Sequence, residues 1–151
     1  MRILYVFLFL TIFLSGCASA KEVCKGFLGV STKVLEDGRK DALKKEIGYD
    51  LITCHNRVRV ILKEEGCVIY ADDLKKDMLA VYLSEEDTTP VGVFLTEKSG
   101  WMTLIEVSSP STYAKEKIAK LLFETLTMEI RKKAGNAEKG QVDATQTKEV
   151  N

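Results

Sequence analysis

Three regimes of hydrophobic spacing alternate along this chain. Residues 3–14, Ile3-Leu4-Tyr5-Val6-Phe7-Leu8-Phe9-Leu10-Thr11-Ile12-Phe13-Leu14, form an almost unbroken apolar run after Met1-Arg2. The run is too short to span a bilayer comfortably. With a positive residue before it and small residues after it, it has the layout of a secretory signal and is set aside from the fold. From residue 41 to 65 the spacing becomes helical: Leu43, Ile47, Leu51, Cys54, Val58, Ile61 and Leu62 recur at three- and four-residue steps, which predicts one buried stripe. Gly48 interrupts the stripe, and Asp50 can accept hydrogen bonds from the free N–H groups of a new helix start. The firm part of this helix is therefore 50–65, with Gly66 suited to the left-handed position that ends it.

After Gly66 the period falls to two. Segments 67–71, 78–83, 91–96 and 101–107 read as four strands, separated by the polar connection 72–77, by 84–90 and by the turn signal Lys98-Ser99-Gly100. Such short connections favour an antiparallel meander. Upstream, the apolar and β-branched segment 26–35 predicts a further first strand, followed by a turn at Glu36-Asp37-Gly38-Arg39-Lys40. The last helix begins near Ser109-Pro110, with Ser109 or Ser111 as its cap and the proline in its first turn. Ala114, Ile118, Leu121, Leu122, Thr125 and Leu126 form its apolar face, Arg131, Lys132 and Lys133 suit its C-terminal dipole, and Gly135 closes it. Residues 136–151 are polar and aperiodic, which predicts a disordered tail.

Two helices with apolar stripes need a surface to cover. The predicted fold is an α+β two-layer sandwich, with an antiparallel sheet of four or five strands covered by two helices in the order (β)αββββα. The expected organisation is a signal peptide at 1–16, a tether at 17–25, a single domain at 26–135 and the tail at 136–151. With 46% hydrophobic and 29% charged residues, the chain has the composition of a folding globular domain. Lys+Arg and Asp+Glu balance at 22 each, so no basic footprint for nucleic acid is present.

One motif carries chemistry. Directly after the apolar run stands Leu14-Ser15-Gly16-Cys17, an aliphatic residue and two small residues before a cysteine, and it resembles the lipobox of bacterial lipoproteins. The resemblance implies that the Cys17 thiol receives a diacylglycerol in thioether linkage, that signal peptidase II cuts between Gly16 and Cys17, and that the new amine can be acylated. Two or three acyl chains give stable anchoring, since each buried methylene contributes roughly 0.8 kcal/mol and a single chain is marginal. Ala18-Ser19-Ala20 offers the competing pattern of an ordinary signal-peptidase site, and an uncleaved signal anchor is the other alternative. Ala18 stands where an aspartate would favour inner-membrane retention, so the resemblance implies the periplasmic face of the outer membrane if the source is Gram-negative. Over about residues 27–134 the element order is also similar to the helix-over-sheet modules of several envelope lipoproteins, including the helix-grip domains of an outer-membrane assembly lipoprotein. That likeness concerns element order alone and carries no residue-level function.

The remaining candidates have bland explanations. Cys24, Cys54 and Cys67 allow one disulfide and one leftover thiol. Cys54 and Cys67 would be separated by roughly 15 Å along the helix, beyond the usual Cα separation unless the strand runs back past it. Cys24 can instead reach either, and burial as free thiols explains them equally well. His55, the only histidine, is expected to face solvent: adjacent helical residues point about 100° apart, so Cys54 and His55 cannot act together on a metal or as nucleophile and base. Glu85-Glu86-Asp87 with Thr88-Thr89 reads as a solvated acidic turn rather than a calcium loop. Ser108, Ser109 and Ser111 read as helix-capping hydroxyls without a base. Trp101, Phe94, Tyr70 and Tyr82 fall on strands, where core packing is the default and an exposed recognition patch the alternative.

No residue is thus assigned a catalytic, cofactor-binding or metal-binding role, and Cys17 alone carries a modification. The expected function is that of a non-enzymatic envelope module, anchored to the membrane by lipid and binding another envelope protein. The alternative is a carrier of a small ligand or lipid in an apolar pocket of about 300 Å³ or more between helix and sheet.

Overall fold

The computed structural model describes the backbone of residues 32–146 and the side chains of residues 32–135. The predicted signal peptide, lipobox, Cys17 and tether lie outside the described residues, as does Cys24. The elements are α1 (Thr32–Asp37), a 3-10 turn (Gly38–Asp41), β1 (Leu43–Ile47), α2 (Leu51–Glu64), β2 (Val68–Asp73), β3 (Met78–Tyr82), β4 (Pro90–Ser99), β5 (Met102–Ser108) and α3 (Thr112–Gln146). All five strands join one antiparallel sheet in the order β1-β5-β4-β3-β2, so the fold is α+β. Strands β2 to β5 form the expected meander. β1 pairs with β5 at the far edge, and α2 carries the chain back across the sheet to β2.

The main core lies between the sheet and the two long helices. Cys54, Val58 and Leu62 of α2 and Ile118, Leu122 and Leu126 of α3 are fully buried against Leu79, Val81, Val91, Val93, Ile105 and Val107. Strand alternation delivers these sheet residues to one face: Leu79 pairs with Val93 and Val93 with Val107 in register. The ends of α2 follow the sequence. Asp50 has an extended backbone and its Oδ1 accepts from the Thr53 N–H at 2.9 Å, while Gly66 adopts φ +83° just beyond the helix.

Three expectations need correction. Residues 32–37 are helical rather than part of a first strand, and the turn expected at Glu36-Asp37-Gly38-Arg39-Lys40 is the end of α1 with the 3-10 turn. Here Leu35 provides the docking: it packs on the sheet face opposite the long helices with Met78, Ala80 and Phe94, giving that face a small second core. Residues 43–47 form strand β1 rather than the beginning of a helical stripe. Leu43 and Ile47 are four residues apart, a spacing that puts them on one face of either a helix or a strand. Lys45 lies between them on the same strand face and reaches over the Phe123 ring to Thr127 Oγ1 at 3.0 Å. Finally, α3 does not stop at Gly135 but continues to Gln146. A glycine inside a helix costs only about 1 kcal/mol, and no proline follows it.

Candidate functional site

The elements around α2 bring together a group of side chains that are distant in sequence. α2 lies across the sheet with Cys54 turned into the core, so His55, one residue on, turns towards edge strand β2. His55 is buried, with 2% of its surface exposed, and does not face solvent as expected. Its Nε2 lies 3.2 Å from Asp72 Oδ1, and Arg59 Nη2 holds Asp72 Oδ2 at 2.6 Å. The His55–Asp72 approach lacks hydrogen-bond geometry, and among the described residues neither ring nitrogen of His55 nor the buried Arg59 Nε has a hydrogen-bond partner.

Asp72 reaches this position through a β-bulge. Ile69 pairs with Val81 and faces the helices, whereas Ala71 pairs with Ala80 and faces the opposite core, with Tyr70 as the extra residue. The bulge shifts the alternation by one, so Asp72, opposite Leu79, returns to the helix side. Without it, Asp72 would point away from His55. Sequence reasoning placed Asp72 in a polar connection, and no pattern of hydrophobicity reveals the bulge.

Beside this cluster is a depression of about 500 Å³ lined by Leu51, Ile52, His55, Asn56, Arg59, Leu74 and Asp77. Ile52 of α2 and Leu74 of the β2–β3 hairpin are 74% and 66% exposed. They bring apolar surface from two separate elements to its margin. Asp77 closes the hairpin at φ +47°, and its carbonyl accepts from Leu95 N–H at 2.8 Å.

The other candidates have structural roles. Cys54 and Cys67 are free and buried; burial, with a smaller contribution from Asp50, pushes the Cys54 thiol up to about 12, and burial also raises Cys67. Neither is poised as a thiolate. Ser84 Oγ accepts from the Glu86 and Asp87 N–H groups, and Asp87 Oδ1 accepts from Thr89 N–H, so the acidic loop 84–89 is knit by its own backbone. Among the described residues, no group of three His, Cys, Asp or Glu side chains is placed to hold a metal. Ser111 Oγ accepts from Ala114 N–H and caps α3, Pro110 stands outside its first turn, and Ser109 Oγ donates to Pro90 O. Ser108 Oγ donates to Leu35 O beneath α1. Phe94 is core, Tyr70 and Tyr82 stack with centroids 4.3 Å apart, and burial, then Tyr82, pushes the Tyr70 hydroxyl up to about 12. Trp101 alone of these aromatics is largely exposed, at the β4–β5 turn.

No protein-family profile matches the sequence, and no curated protein matches it at a significant level.

Proposed function

We propose that the protein is a lipid-anchored module of the bacterial cell envelope, held by Cys17, that binds another protein and performs no chemistry of its own. In a Gram-negative cell Ala18 directs it to the outer membrane. The observation that carries the binding role is that exposed Ile52 of α2 and exposed Leu74 of the β2–β3 hairpin line one depression together with polar side chains. Large apolar side chains grouped from two elements around a concavity are a common feature of partner-binding surfaces.

The alternative carrier reading has less support. Val58, Leu62, Leu122, Leu79, Val93 and Ile105 meet between helices and sheet with no exposed surface, and the depression of about 400 Å³ between β1 and α3, lined by Leu43, Ala119 and Phe123, is a shallow one open to solvent. An enzymatic reading has less support as well: among the described residues lining the depression none is a serine, threonine or cysteine, and Cys54 points into the core.

The test is a pull-down from detergent-solubilised membranes with the intact lipoprotein at native expression, run beside an Ile52→Glu/Leu74→Glu variant. The expected result is a protein recovered with wild type and lost with the variant. Recovery of nothing above background, or of the same set by both, overturns the proposal.

A further inference from the structure

We infer that the free edge of β1 pairs antiparallel with the β1 edge of a second copy of this chain, joining two five-stranded sheets into one across a two-fold axis at Lys45. The pairing is independent of the partner-binding role, because the depression of Ile52 and Leu74 lies beside β2, at the opposite edge of the sheet. β1 is bonded to β5 on one side, and among the described residues its outer side has no strand partner. Alternate residues there present backbone N–H and C=O groups that a further strand can engage.

The five residues Leu43-Lys44-Lys45-Glu46-Ile47 complement themselves when run antiparallel. With the axis at Lys45, Leu43 stands opposite Ile47 of the second copy and Lys44 opposite Glu46, and the symmetry repeats both pairs. The outward backbone groups belong either to residues 44 and 46 or to residues 43, 45 and 47, and this register pairs either set with itself. Glu46 is exposed and has no ion-pair partner among the described residues, so Lys44 of the second copy supplies one. Moving the axis by one residue sets the two copies of Lys44, or the two copies of Glu46, directly opposite each other and shortens the pairing.

Lysines on a short edge strand commonly act against such pairing. Here both are otherwise engaged. Lys44 Nζ lies 2.6 Å from Glu106, and Lys45, on the axis, is turned onto its own α3, with Nζ 3.0 Å from Thr127 Oγ1 and 3.4 Å from Phe123 O. Each Lys45 ammonium is thus drawn towards its own helix rather than towards its copy. On the helix side of the edge, the depression between β1 and α3 leaves Leu43 and Phe123 partly exposed, and β1 and α3 of the second copy border it. Opposed residues share a sheet face in this register, so the long helices of both copies lie on one side of the joined sheet and both α1 helices on the other. Each domain begins at α1, so two copies tethered to one surface can pair in this way.

The test uses the full-length protein in detergent micelles. Lys45→Cys and Glu46→Cys, each in a Cys24→Ser background, read the register, with Cys54 and Cys67 buried. Directly opposed residues of an antiparallel pair have Cα atoms about 4.5–5.5 Å apart, within disulfide range. Glu46 and its copy stand two residues apart along the strands, about 8 Å and beyond that range. Under mild oxidation Lys45→Cys is expected to form a covalent dimer and Glu46→Cys to stay at the level of the Cys24→Ser parent. Chance collision gives the reverse order, since Glu46 is exposed and Lys45 half-buried. Sedimentation of wild type is expected to show a dimer, and Glu46→Lys, which makes both pairs with Lys44 repulsive, to raise its dissociation constant about tenfold. That variant carries the same anchor, so sharing of micelles affects both proteins alike. Its denaturation midpoint is expected to match wild type because Glu46 is exposed, and if the midpoint falls, the order of cross-linking decides by itself. A monomeric wild type, cross-linking at position 46 equal to or above that at 45, or a folded Glu46→Lys dimer as tight as wild type overturns the inference.

Discussion

Gly92 on β4 leaves the space that Leu35 of α1 fills. A Cβ built on Gly92 would lie 3.0 Å from Leu35 Cβ and 2.9 Å from the Phe94 ring, both closer than ordinary contact. Leu35 cannot retreat by a side-chain rotation, because the crowded atom is its own Cβ. Phe94 is held from above by the Arg39 guanidinium, 4.6 Å from the ring centroid. The absence of a side chain at Gly92 is therefore what lets α1 lie on the second face of the sheet.

Gly92→Ala is expected to destabilise the domain by about 1–3 kcal/mol, the usual cost of overpacking, and to loosen α1 more than the main core. Chemical denaturation measures the first effect. Hydrogen exchange measures the second: protection should fall first in α1 and persist in α2 and α3. An unchanged denaturation midpoint would show that Leu35 does not need this gap.

Glu106 is buried on the same sheet face, with a side chain only 6% exposed, and is paired with Arg39 and with Lys44, whose Nζ lies 2.6 Å away. Burial raises its pKa, but hydrogen bonds from Lys44 and Arg39 outweigh that and hold the carboxyl below its ordinary value. A depressed carboxylate contributes stability above the ordinary carboxylate range and loses it as pH falls through the folded-state value. Glu106→Gln should cost about 1–2 kcal/mol near neutral pH, a moderate figure because both cations are 40% or more exposed. Denaturation midpoints across the acid range should converge for wild type and variant. A constant difference down to strongly acidic pH would exclude Glu106 as a source of the pH dependence.

At the two ends of α2 the predictions differ in kind. Gly66→Ala forces a Cβ into a backbone at φ +83° and should cost about 1 kcal/mol, with Gly66→Asn costing less. Asp50→Ala removes the acceptor for Thr53 N–H and should speed exchange of that amide. Stability curves and amide exchange read the two effects separately, and an Ala variant at position 66 as stable as wild type would contradict the first.

Replacing Cys17 with serine should abolish lipidation and membrane retention while the domain stays folded. The domain buries its own stripes, Cys54, Val58 and Leu62 against the sheet beside Ile118, Leu122 and Leu126, so its stability does not depend on an anchor. Labelled fatty acid should enter wild type and not Cys17→Ser, with unchanged circular dichroism. Equal incorporation in both, or a mature protein beginning at Ser19 or Lys21, would make this an ordinary secreted protein.

Local pattern alone determined much of the fold. The period-two segments after Gly66 became β2 to β5, Asp50 and Gly66 bound α2, and the stripe through Ala114, Ile118, Leu122 and Leu126 is the buried face of α3. These are decided by a residue's near neighbours: side-chain period, a capping oxygen, a left-handed glycine. The resemblance of Leu14-Ser15-Gly16-Cys17 to a lipobox is likewise read from consecutive residues alone. Tertiary structure decided the rest. The four-residue step from Leu43 to Ile47 fits one face of a helix or a strand, and only pairing with β5 chose the strand. Leu35 became helical because Gly92 gave it a place to dock. The candidate site was illegible for the same reason: His55 and Asp72 meet only because α2 crosses the sheet and a bulge at Tyr70 turns Asp72 over. A strand's alternation can be read from its own residues, but a shift in that alternation is set by the partner strand it must match.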